Sequence, residues 1–170
     1  MNLVLLGVIA STFVSTETKS RDMNIEITNL TKRECDEAAL LSVAEFALTS
    51  MGIHIDSELS MTLVDEVEMS ELHMRWMDEP GATDVLSFPM DEMKPHSAAQ
   101  GPGMVGDIVL CPDFAARQAA SAGQSLQSEL ELLTVHGILH LLGFDHREEV
   151  EKETMFGLQV DLLRKWRGSS

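Results

Sequence analysis

Residues 136–146 read HGILHLLGFDH and hold three of the six histidines of this 170-residue chain. His136 and His140 are four positions apart, so a helix projects both from one face, a turn apart. Gly143 follows as a residue free to take the left-handed conformation that ends a helix. The reversal there swings His146 back toward the other two. Three imidazoles at this spacing make a ligand set for zinc, one ion per chain. The fourth position stays open to water, the pattern of a catalytic rather than a structural zinc site.

The surrounding sequence supplies the scaffold. Ser125 is placed to cap a helix over 126–142, with Glu129 and Glu131 near its positive end. Apolar residues occur all round it, which predicts a buried central helix. Upstream, the patterns predict a strand over 24–29 and a helix over 35–51, with apolar Leu40, Val43, Ala47 and Met51 and a stop at Gly52. A strand over 59–65 and a helix over 66–77 follow, then a turn through Pro80 and Gly81 into a strand over 84–89. Residues 91–104 have no period and read as a loop, mobile near the site. A strand over 107–111, a helix from 114 to 122 and a last helix over 148–166 complete the chain. The last helix carries Met155, Leu158, Leu162 and Trp166 along one face. Strands mixed with about five helices predict an α+β fold, an α/β-type sandwich around one small sheet, with a zincin-like helix carrying the histidines.

Composition bounds the function. The chain has 28 acidic and 12 basic residues, a net charge of −16. It should repel a polyanion at long range, so any nucleic-acid site must be locally positive. A bound metal supplies part of that charge, and Arg75, Lys94, Arg117 and Arg147 are candidates for the rest. Cys35 and Cys111 lie far apart and form no zinc pattern. They fit a reduced, cytoplasmic setting and read as small buried apolar residues. Residues 3–10, LVLLGVIA, are apolar, but only Met1 and Asn2 precede them, without the positive flank of a secretory signal. Eight residues are too few to span a bilayer. Residues 1–22 are therefore read as a disordered extension outside a single domain over 23–168, an export signal being the alternative.

The spacing H-x-x-x-H-x-x-G-x-x-H matches the extended zinc motif of the metzincin peptidases, with one departure. A peptidase carries Glu after the first histidine as general base; here Gly137 stands there and has no side chain to take a proton. The same cradle therefore points to different chemistry. Together with TDVLSFP at 83–89 and GDIVL at 106–110, the histidine segment resembles the YbeY endoribonucleases, over about Met23 to Trp166. The resemblance implies a mostly parallel four-stranded sheet with an edge strand beside the metal. It implies a zinc-dependent endoribonuclease specific for single-stranded RNA. It further implies work on ribosomal RNA at the small subunit, in 16S 3′-end maturation and ribosome quality control, with no membrane or DNA partner. The family also places an arginine just after an aromatic residue upstream of TDVLSFP. Here Met77 follows Trp76, so that role is not carried over; Arg75 lies two positions earlier and is a candidate for binding RNA.

Several polar residues remain open to two readings. Thr83, Asp84 and Ser87 fit either turn chemistry or a substrate groove. Asp107 and Asp145 fit either local caps or partners that orient a histidine through its second ring nitrogen. These two aspartates and Arg75 are the catalytic candidates, and no general base is singled out. Two rival functions use the same residues: a non-catalytic ribosome assembly factor with a structural zinc, and a zinc peptidase.

Overall fold

The computed structural model describes residues 22–169. The extension expected over residues 1–22 lies, apart from Asp22, outside the described residues. Four strands form one sheet: β1 (Asn24–Asn29), β2 (Glu58–Leu63), β3 (Val85–Pro89) and β4 (Met104–Leu110). Their order is β1-β2-β4-β3, with β1, β2 and β4 parallel and β3 antiparallel at the edge. The helices are α1 (Glu37–Ser50), α2 (Glu66–Met77), α3 (Pro112–Ser121), α4 (Leu126–Leu141) and α5 (Glu149–Ser169). The expected mostly parallel four-stranded sheet and five helices are present.

Local chemistry sets the helix starts. Asp36, Asp65 and Ser125 each accept a hydrogen bond from the backbone N–H three residues on, capping α1, α2 and α4. Pro112 opens α3, where a missing N–H costs nothing. β4 starts three residues before the expected position. Residues 104–106 pair with the N-terminal end of β2, across a register shift at Glu58/Leu59. An extra residue there bulges the ladder.

Alternation along the strands divides the core. Leu59, Met61, Leu63, Ile108 and Leu110 join α1, α4 and α5 in the main cluster on one face. Val109 and Leu86 face the other way and join Met69 of α2, Val64 and Cys111 in a smaller cluster. Both cysteines are free, Cys111 buried and Cys35 half-buried. α4 is buried at Leu130, Leu133, Val135, Ile138, Leu139 and Leu141, and is the central helix the sequence predicts. Gly137 explains its close approach to the sheet: a Cβ there would lie 3.1 Å from both Ile108 Cδ1 and Ser87 Oγ.

The loop before β4 is tied down. His96 N–H donates to Met51 O at 2.8 Å, Ala98 N–H to Gly52 O at 3.0 Å, and Met104 N–H to Asp91 Oδ2 at 2.7 Å. Residues 98–100 form a short 3-10 turn within it. Among the described residues, no helix is long and apolar enough to cross a membrane.

Candidate metal centre

α4 ends in a Schellman turn that brings the third histidine back. Phe144 N–H donates to Leu139 O and Gly143 N–H to His140 O, both at 3.0 Å, with Gly143 at φ +91°. One ligand atom from each of His136, His140 and His146 falls within 4.8 Å of the others, a group able to hold a metal ion. The ring centroids are 4.7, 5.0 and 5.5 Å apart.

Two of the rings are held by partners outside the cluster. His136 Nδ1 lies 2.9 Å from Gln159 Oε1, and His140 Nδ1 lies 3.0 Å from the Phe144 carbonyl. Both partners are acceptors, so each Nδ1 carries the proton and each Nε2 presents a lone pair. Those two Nε2 atoms face each other at 3.1 Å. Two lone pairs at that separation repel unless a cation lies between them. The spacing is near the roughly 3.3 Å that separates two nitrogens on a tetrahedral ion with bonds of about 2.0–2.1 Å. The donor set therefore fits a metal.

Burial lowers the pKa of His136 and His140, with the neighbouring imidazoles adding to it. Both rings are thus kept in the neutral form that ligates. An unfolded chain takes up protons at these rings near pH 6.5, whereas the folded metal-free chain does so only at lower pH. The metal-free chain is therefore expected to lose stability as pH falls through about 6.5 and below. Melting temperature against pH checks this, and a flat profile from pH 7 to 5 would contradict it.

The histidines open onto a cleft of about 540 Å³, lined also by Met77, Thr83, Asp84, Ser87, Asp145 and Arg147. The edge strand β3 thus lies beside the metal centre. Thr83 and Asp84 brace each other: Thr83 Oγ1 and Val85 N–H both donate to Asp84 Oδ1, at 3.1 and 2.8 Å. Ser87 Oγ donates to the Gly137 carbonyl at 3.3 Å, tying β3 to α4. Asp145 accepts from His146 N–H at 2.7 Å and meets Arg147 at 3.0 Å. The His146 N–H, helped by Arg147, holds its carboxyl below the usual range. Among the described residues it forms no ion pair with a histidine ring, although His140 and His146 also help to lower its pKa.

Asp107 is not brought to the histidines. It follows the outward side of the alternation in which Ile108 points into the core, and lies with Ser60, Trp76 and Phe88 in a groove on the opposite face. Arg75 is exposed and does not line the cleft, whereas Met77 does. Arg117 pairs with Glu66 away from the cleft.

Gln159 is the functional residue that sequence reasoning misses. It is 5 % exposed, and sits on α5 between Met155 and Leu162, both in the core. The signal was available: a polar residue four after Met155 and three before Leu162 lies on the helix's apolar stripe. Replacing Gln159 by alanine is expected to weaken metal binding about 10- to 100-fold, the usual cost of losing such an outer partner. Competition with a chelator of known affinity reads this; unchanged affinity would show that the Gln159 contact is incidental.

Three imidazoles beside an open cleft, under a mostly parallel sheet with one antiparallel edge strand, define the class: an α+β protein with a three-histidine group able to hold a metal ion, open to a cleft. Residues 17–167 match the family model described as Endoribonuclease YbeY. The endoribonuclease YbeY of Rhodococcus erythropolis is 56% identical over 148 residues, covering 85% of this chain and 82% of that protein. Those of Nocardia farcinica and Mycolicibacterium smegmatis are 57% and 55% identical over the same length, covering 80% and 83% of those proteins. A solution structure of a Thermotoga maritima protein is 28% identical with a TM-score of 0.57, covering 85% of this chain and 90% of that one. The chain belongs to the YbeY endoribonuclease family.

Proposed function

We propose that this protein is a zinc-dependent, single-strand-specific endoribonuclease. The observation that carries the proposal is the three-histidine centre open to a cleft, in a chain of this family. Three nitrogen donors with an open side favour zinc. His136, His140 and His146 would hold the ion, with Gln159 and the Phe144 carbonyl fixing two of the rings. When bound, the ion supplies positive charge against a phosphoryl oxygen and acidifies a water or hydroxyl beside it. Thr83, Asp84 and Ser87 form the wall along which the RNA strand lies. The nucleophile is either water or the RNA's own 2′-hydroxyl. A 2′,3′-cyclic phosphate on the product distinguishes the second.

The substrate is ribosomal RNA, in 16S 3′-end maturation and ribosome quality control at the small subunit, in the cytoplasm. Unstructured RNA should be cut, and the same strand annealed to its complement should not. Equal cutting of the duplex would overturn single-strand specificity. The acidic chain and the uncharged Met77 at the cleft favour one rival, a non-catalytic assembly factor. Against that rival stands the open side of the histidine centre, which a purely structural ion does not need. A peptidase lacks support because position 137 faces Ile108 of the sheet.

The domain begins at Met23 in this proposal. The Met23 side chain is in the main core and its N–H donates to Glu45 at 3.1 Å. A chain starting there should melt within a few degrees of the full one and cut RNA equally. A larger fall in melting temperature would place part of residues 1–22 in the core.

A further inference from the structure

A polyanion must reach a centre carried by a chain of net charge −16, so the location of unneutralised cations matters. Seven of the ten described lysines and arginines are in ion pairs. Lys32, Arg75 and Lys94 are not. None of the three is among the residues that line the cleft. Lys94 reaches its edge: a Cβ on Gly143, itself a cleft residue, would lie 2.9 Å from Lys94 Nζ. The ammonium therefore rests against the turn that follows His140. It meets no carboxylate among the described residues, and its side chain is exposed to solvent.

The backbone that presents it is anchored on both sides. Met93 packs against the main core, and His96 and Ala98 donate to the end of α1. Lys94 is thus a cation at a set place with its charge uncommitted.

The charges that line the cleft show what it changes. Asp84 and Asp145 are negative, and Arg147 is engaged by Asp145 at 3.0 Å. The charged side chains that line the cleft sum to net negative, and Lys94, against its Gly143 edge, is the cation that offsets them. Met77, on the α2 side, contributes no charge.

The geometry points to Lys94 as a phosphate-binding residue of the substrate cleft, one that holds a backbone phosphate of single-stranded RNA next to the scissile one. This assignment rests on the nuclease reading above. Lys94 acts in binding and not on the reacting atoms, because its ammonium rests on the Gly143 turn and is not one of the groups that converge at the histidines.

The test uses the full, metal-loaded chain and a labelled unstructured RNA, with binding read before measurable cleavage at several salt concentrations. Lys94→Ala should weaken binding about five- to tenfold at low salt. It should also lower the slope of log affinity against log salt by about 0.7, the share of one phosphate on a single strand. Lys94→Arg should keep both. Lys32→Ala, at an unpaired cation away from the cleft, should change neither by more than about twofold, and the cleavage rate of Lys94→Ala at saturating RNA should stay within about twofold. Metal content and melting temperature should not move. A wild-type salt slope in Lys94→Ala would overturn the assignment. So would a tenfold loss of saturating rate with binding intact. If the wild-type chain binds no RNA, this inference and the nuclease reading fall together. If the wild type binds and cuts RNA and Lys94→Ala matches it, only this inference falls.

Discussion

Alanine at His136, His140 or His146 is expected to strip the metal and to lower RNA cleavage on the order of a thousandfold, about 4 kcal/mol of transition-state stabilisation at 1.36 kcal/mol per tenfold. Each substitution leaves two protein ligands where three converge within 4.8 Å. The effect should be nearly the same for all three, because the centre works as a unit and not as a sum of contacts. His140→Ala has a second consequence. It removes the ring that bonds the Phe144 carbonyl, one of the ties that shape the turn leading to His146. Elemental analysis after dialysis should find close to one equivalent of zinc in the parent chain and almost none in each variant. A variant that keeps its zinc but loses cleavage would assign that histidine to proton transfer instead of ligation.

The largest effect on folding is expected at Gly106. Its φ is +143°, and a Cβ there would lie 2.3 Å from the Phe88 carbonyl oxygen of β3. No rotamer change relieves that contact, because the obstacle is backbone. Gly106→Ala must either push β3 away from β4 or twist the bulge where residues 104–106 meet β2. Backbone strain of this kind costs about 1–3 kcal/mol and overpacking a similar amount. The expected loss is therefore on the order of 3–5 kcal/mol, a large part of the roughly 5–15 kcal/mol that holds a domain together. Since β3 carries Ser87 and follows Thr83 and Asp84, a surviving fold should also bind RNA poorly. The urea midpoint measures the first effect. A loss below about 1 kcal/mol would mean that the edge strand moves more freely than this geometry allows.

Gly106 also shows where sequence reading stops. GDIVL was legible as a strand motif. The glycine's purpose was not, because the contact that requires it comes from Phe88, on a strand paired only after folding. Asp107 beside it illustrates the reverse case. As a lone aspartate after a glycine it looked available to the histidines, but the two-residue alternation with Ile108, a core residue, already directed it to the other face. The three histidines were legible because all sit within one helical turn and its reversal, so local geometry alone assembles them. Gln159 was legible only as a polar residue on an apolar stripe; its contact with His136 was not, because it comes from 23 residues away, on a helix whose packing angle no sequence pattern specifies. The free charge of Lys94 was equally hidden. It depends on which carboxylates the fold brings near it and on a tied loop laying the ammonium against Gly143.

Everything above turns on whether the histidine centre cuts RNA. One measurement tests it most directly: the metal-loaded chain and its His140→Ala variant are each incubated with unstructured RNA and with casein, and the products are resolved by size. The parent should cut RNA and leave casein whole, while the variant should cut neither. RNA cut equally by both, or casein cut by the parent, would contradict it.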